Sequence, residues 1–448
     1  MRGNDLLITN IGWLGTMDGE NRLLRDGYIL IEGGFIRTLG TGEVPEWDGP
    51  VLDAEGGIAL PGLINLHHHL YQNLARAYSP VCNHSLLPWV REMNKLWDGF
   101  TVEDLIVATR TGLVELMLSG CTTVLDHHYV FPQGGGDMIA GQFAVAGELG
   151  IRFVAGRGSF DTGDNLMPPW AVDSTDRILE DCERLIQTYH DLEPGSYRQI
   201  ALAPTGPLVV SPRLLKESAA MAIRHQAVIT THNCESADEL PWAMEKVGCT
   251  PFEHLLNCGW GDGRTVLAHS IQMDDKAVAL AGKHRMGVAH CPSSNMRLGS
   301  GICRVQDLRN AGAHVGLGVD GSASNDSGHL LNEAHQCLYL SRVRYGASSM
   351  TIEDALSIAT ISGARALGRE SDLGSLEPGK CGDVAIFPRQ DLWSAGAENP
   401  FDALLFCFPR LVNHLVVGGR VVVEGGQLPG IDIPLLIENH TRCANKFR

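Results

Sequence analysis

Short apolar runs alternate with longer helix-patterned stretches through most of this 448-residue chain. The runs are "IALPGLINLHHH", "TTVLDHH", "RFVAGRGS", "QIALAP", "AVITTHN", "TVLAHS", "GVAHCP" and "HVGLGVDG", eight in all. Most are separated by segments with helical apolar spacing, such as "TVEDLIVATRTGLVELMLSG" and "SPRLLKESAAMAIRHQ". Each such segment opens near a Thr or Ser able to cap it, with a carboxylate or proline close by. Eight strands alternating with helices predict an α/β fold, a (β/α)8 TIM barrel, over residues 59–374. The flanks read differently. "DLLITNIGWLGTM" and "GYILIEGGFIRTLG" precede the barrel, and "KCGDVAIFPR", "HLVVGGR" and "VVVEGGQLP" follow it. Their glycine-punctuated pattern predicts strands and hairpins.

Polarity along the runs is directional. Nearly every run starts apolar and ends in His, Asp, Ser or Asn. In a barrel those C-terminal strand ends form the active-site face. Strand residues two apart share a face, so His67 and His69 are expected to point together and His68 away. Two imidazoles on one face can hold a divalent metal at about 2.0–2.1 Å. An isolated pair of this kind can equally be a polar strand end facing water. His232, His269 and Asp320 end other runs at the same rim, and this shifts the balance toward metal. A buried Asp after an apolar run costs several kcal/mol unless it is paired or bound to a cation. Glu235 follows His232 by three residues and is placed either to move protons over such a metal or to sit in a helix's first turn. Asp238 and Glu239 fit the ordinary first-turn role better.

Composition narrows the partners. A formal net charge of −17 disfavours a nucleic acid polymer and an anionic membrane surface. A small ligand in a pocket remains compatible. No apolar run is long enough to span a bilayer, and "MRGNDLLITN" has no signal-like core. The twelve cysteines are scattered without a C-x-x-C, which fits reduced thiols in a cytoplasmic protein.

The segments "PGLINLHHHLYQ", "THNCES", "VLAHS", "AHCPSSNMRLGSG" and "GLGVDGSASND" resemble the amidohydrolase superfamily. More narrowly, they resemble its aminohydrolase branch of guanine, cytosine and S-adenosylhomocysteine deaminases. The likeness covers nearly the whole chain, including "GSLEPGKCGDVAIF". It implies a small β-sandwich domain built from both chain ends, residues 1–58 and 375–448. It implies His67, His69, His232 and Asp320 as ligands of one divalent metal, zinc by default and iron within the reach of these ligand types. His269 then stands beside the attacking water and Glu235 shuttles protons, with Asp320 accepting the water's proton. The implied reaction is hydrolytic deamination of a heterocycle, and family members often form homo-oligomers. The H-x-E and P-C-x-x-C pattern of the other zinc deaminase class is absent.

Within that branch the rim segments "HHHLYQNLARAY", "LLPWV", "SGCTTVLDHHYVFPQG", "RGSFDTG" and "SNMRLGSGICRVQDLRNAG" resemble 8-oxoguanine deaminases. An oxidised purine carries amide-like edges. Gln72 can pair with one in both directions, Tyr129 and Ser159 offer hydroxyls, and Trp89 can cover the ring. Each also has an ordinary role as a helix cap or packing aromatic. Where relatives carry "HLAET", this chain has "HNCES". Asn233 is expected to face away from the metal and Cys234 to be a buried thiol. Alternatives are deamination of isoxanthopterin, hydrolysis of an s-triazine, or a catalytically inactive interaction protein on the same fold.

Overall fold

The computed structural model describes residues 4–164, 166–261, 263–407 and 410–448. The first three residues of the expected N-terminal segment lie outside this range. Eight parallel strands close into a barrel, each hydrogen-bonded to its neighbour in sequence. We label them β1 (Leu63–Asn65), β2 (Cys121–His128), β3 (Arg152–Ser159), β4 (Arg198–Pro204), β5 (Val228–Asn233), β6 (Arg264–His269), β7 (Gly287–His290) and β8 (His314–Leu317). Leu317 pairs with Asn65 to shut the ring. Ile64, Leu125, Val154, Ala201, Val266 and Ala289, from six different strands, fall in one buried cluster and so fill the barrel's interior.

The connecting helices begin where their caps predict. Thr101 and Asp104 form a reciprocal capping box at the start of helix Val102–Leu118. Ser211 accepts the Leu214 amide at 3.1 Å ahead of Pro212, the first residue of helix Pro212–His225.

The first expected run, "IALPGLINLHHH", divides into three. Ile58–Pro61 belongs to the flanking sheet, Leu63–Asn65 to the barrel, and His68–His69 pairs with Asp320–Gly321 above the rim. Gly62 marks the crossing. A Cβ there would lie 2.1 Å from the Thr122 hydroxyl, so only glycine lets the chain pass β2.

The flanking strands Leu6–Gly15, Leu23–Glu32, Phe35–Thr41, Val51–Asp53 and Ile58–Pro61 join Val384–Phe387, His414–Val417 and Arg420–Val423 in one eight-stranded sheet. The sheet curls until Phe35 bridges Cys381, and Ile8, Ile29, Ile31, Ile386 and Val416 pack within it. The layers of the expected sandwich are thus parts of one sheet. The end of the expected C-terminal segment goes elsewhere. Helix Ile433–Ala444 leaves the sheet, and the Phe447 ring packs 5.5 Å from Trp97 and 5.7 Å from Phe100. Lys446 meets Asp104 at 2.6 Å, so an apolar and ionic contact ties the tail to the barrel's helices. All twelve cysteines are free thiols, in line with the expected reduced state. Among the described residues, no helix is long and apolar enough to cross a membrane.

Candidate active site

The polar strand ends converge at the barrel mouth. The His67 ring centre lies 4.7 Å from that of His69, 5.0 Å from His232 and 5.4 Å from His269. Asp320 Oδ1 is 3.5 Å from His67 Nε2 and 3.4 Å from His69 Nε2. Nitrogen or oxygen atoms of His67, His69 and Asp320 all fall within 4.8 Å of one another, and so do those of His67, His232 and His269. His68 contributes to neither group, as its position in the triplet predicts. It is fully buried and burial pushes its imidazole down to about 3.

Backbone strain accompanies this convergence. Cys234, His269, Ser270 and Asp320 adopt φ of 48°, 67°, 52° and 62°, a left-handed region that ordinary side chains avoid. Such residues cost of order 1–3 kcal/mol each and persist where surrounding contacts enforce them. Here they turn the chain sharply at the ends of β5, β6 and β8.

The ring hydrogen bonds test whether the donors fit a cation. His69 Nδ1 bonds the His127 carbonyl at 2.7 Å, and His232 Nδ1 bonds the Thr205 carbonyl. A nitrogen bonded to a carbonyl must carry the proton, so both Nε2 atoms present lone pairs. Those two atoms face each other at 3.1 Å. Lone pairs so placed repel unless a cation lies between the donors. His67, fully buried, has no hydrogen-bond partner on either ring nitrogen. The donor set therefore fits a divalent metal.

The carboxylates are held differently. Burial alone would raise Asp320, but the close approach of His67 at 3.5 Å and the charge of the neighbouring histidines hold it well below the usual carboxylate range. Ser294 Oγ donates to its Oδ2 at 2.6 Å and Ser324 Oγ at 3.2 Å. Glu235 has no such support. Burial, then the charges of Asp320 and Glu239, push it well above the ordinary glutamate value. Its Oε2 lies 3.5 Å from His269 Nε2. His269 Nδ1 bonds Asn295 Oδ1 at 3.0 Å, which orients the ring toward Glu235.

A cavity of about 120 Å³ opens above these groups, lined by His69, His232, Glu235, His269 and Asp320. Gln72, Trp89 and Tyr129 share its wall, as their places in the sequence predict. Gln72 Nε2 donates to the Tyr71 and Tyr129 hydroxyls at 3.1 and 3.3 Å, while its Oε1 is buried without a partner. Trp89 Nε1 donates to the Ala323 carbonyl at 3.2 Å, fixing the indole in place. Ser159 is not part of this wall. It lies in a neighbouring cavity with Arg157 and Trp170, and the Tyr129 and Phe160 rings line both cavities. The last residue of β3 therefore does not reach the metal side.

Asn233 points away from the cavity and donates to Ser270 Oγ at 3.2 Å, and Cys234 is buried, both as expected. Several groups carried no sequence signal of their own. Ser294 and Asn295 stand inside "PSSNMRLG", whose composition does not say which strand end they brace. Thr205 acts through its carbonyl, which no side-chain pattern reveals. Glu239, expected to favour a helix dipole, instead lines the cavity and binds backbone amides.

Residues 58–422 match the amidohydrolase family. The chain is 43% identical to 8-oxoguanine deaminase of Pseudomonas aeruginosa, covering 94% of each chain. It is 32% identical to isoxanthopterin deaminase of an unknown prokaryotic organism, over 94% of this chain and 92% of the relative. The crystal structure of atrazine chlorohydrolase TrzN from Arthrobacter aurescens TC1 complexed with zinc superposes with a TM-score of 0.93. That superposition has 30% identity and covers 98% of this chain and all of the other. The chain belongs to the amidohydrolase family and is a hydrolase of carbon–nitrogen bonds.

Proposed function

We propose that this protein hydrolyses 8-oxoguanine to urate and ammonia, with zinc held by His67, His69, His232 and Asp320. The observation that carries the substrate is the 43% identity to an 8-oxoguanine deaminase over nearly the full chain, against 32% to the pterin enzyme. The cavity supports it. The unpartnered Gln72 Oε1 suits an N–H on a purine edge, and Trp89 and Tyr129 offer flat walls.

His67, His69, His232 and Asp320 would hold a divalent ion, which would supply a bound water of lowered pKa. Asp320, held ionised, accepts the proton that the attacking water loses. His269, its Nδ1 proton held by Asn295, accepts a hydrogen bond at Nε2 that aligns the nucleophile with the amine-bearing ring carbon. Glu235, kept protonated by burial, gives its proton to the ring nitrogen beside that carbon and relieves the negative charge that builds there. The tetrahedral carbon then collapses. The amine takes the proton held by Asp320 and leaves as ammonia, while the former water oxygen passes its remaining proton to the Glu235 carboxylate and stays as the new carbonyl.

The test is a substrate panel on zinc-loaded protein, reading ammonia release from 8-oxoguanine, isoxanthopterin and guanine. The highest kcat/KM on 8-oxoguanine supports the proposal. A preference for isoxanthopterin, the reading favoured by the pterin relative, would keep the reaction and change the ring.

A further inference from the structure

We infer that Glu239 is a positioning residue for the proton shuttle, and that it sets the place of the Glu235 carboxylate by gripping the backbone beneath it. The inference rests on the role proposed for Glu235. Glu239 opens helix Glu239–Lys246, and an acidic residue there ordinarily favours the helix dipole. Its contacts are of another kind. Glu239 Oε1 accepts the backbone N–H of Glu235 at 2.8 Å and that of Ser236 at 2.8 Å. Charge-assisted bonds to two successive amides fix that peptide strongly.

The grip acts on a segment that needs holding. Cys234 turns the chain through φ 48° immediately after β5. The Cys234 carbonyl accepts the Ile271 amide at 3.0 Å and the Gln272 amide at 2.8 Å. The turn is thus pinned from the β6 side by its carbonyl and from the helix side by Glu239. Without Glu239 the second anchor is lost, and among the described residues the amides of Glu235 and Ser236 have no other partner. Among the described residues, none hydrogen-bonds the Glu235 carboxylate to hold it 3.5 Å from His269 Nε2. Its place depends on the peptide that carries it. Glu239 also lines both the substrate cavity and a smaller one bounded by Cys234, Ser236 and Gln272.

The experiment compares Glu239→Ala and Glu239→Gln with the zinc-loaded parent. Metal content, steady-state kinetics on 8-oxoguanine and hydrogen exchange of the peptide spanning 232–240 are measured together. The amide of Gln retains an acceptor oxygen and Ala does not. We expect Glu239→Ala to keep its metal and lose on the order of 10²-fold in kcat with KM changed little, the scale for a misplaced catalytic group. Glu239→Gln should recover most of that loss. Exchange at Glu235 and Ser236 should quicken in the Ala variant alone. Parental kcat in the Ala variant, equal damage in both variants, or unchanged exchange would each overturn the inference. If the parent is silent on every heterocycle offered, the proposed function fails, and the exchange result still decides whether Glu239 holds the segment.

Discussion

Glu235 and Asp320 face the same cavity, and their surroundings push their protonation in opposite directions. Asp320 is supported by two serine hydroxyls and the histidines, while Glu235 has burial and like charge around it. On the proposed mechanism, Asp320 accepts a proton and Glu235 gives one, as these opposite shifts favour. Glu235→Gln should retain its metal and lose about 10²–10⁴-fold in turnover, read as ammonia release beside metal content. Full rate with full metal would remove Glu235 from the mechanism. The histidines, Glu235 and Asp320 were legible in sequence because each ends a strand or follows one at fixed spacing. Ser159 met the same rule, yet it lines a neighbouring cavity that shares Tyr129 and Phe160 with the one over the histidines. Glu239 was misjudged because its contacts are to backbone, which residue identity does not reveal.

At the scale of elements, helix Leu330–Tyr345 braces the short helix Pro292–Arg297 that carries Ser294. Its Glu333 is fully buried and accepts from the Ser293 amide and hydroxyl and from Asn325 Nδ2. Burial still outweighs these bonds and pushes the carboxyl up to about 7 from 4.5. A carboxyl whose folded pKa is raised binds its proton more tightly when folded. Its contribution to stability is full below about 4.5 and is lost as pH rises through about 7. Glu333→Gln should flatten the fall in Tm between pH 5 and pH 8, and an unchanged slope would show that Glu333 does not titrate in that window. The strand–helix alternation made the barrel legible. The split of "IALPGLINLHHH" was not, because an apolar run does not say where one sheet hands over to the next. The handover depends on Gly62 passing Thr122, a contact between residues 60 positions apart.

Over the whole molecule, barrel and flanking sheet are joined by a buried ion pair. Arg152 of β3 donates from Nε and Nη2 to both oxygens of Asp383 at 2.8 and 2.9 Å, and Asp383 also accepts the Gly418 amide at 2.8 Å. Asp383→Ala leaves an uncompensated buried guanidinium and should cost about 3–5 kcal/mol in a urea titration. A loss below about 1 kcal/mol would show that the junction does not rely on this pair. Metal removal acts on the same scale. Chelation should lower the Tm, and restoring zinc to 100 times its Kd should return about 2.7 kcal/mol of stability. The measurement that bears most directly on the whole account is the yield of urate and ammonia from 8-oxoguanine, followed together with metal-free and zinc-loaded protein. Equal amounts of both products from the loaded protein, and neither from the metal-free form, are expected. Zinc-loaded protein that leaves 8-oxoguanine intact, or equal turnover without metal, would contradict the account.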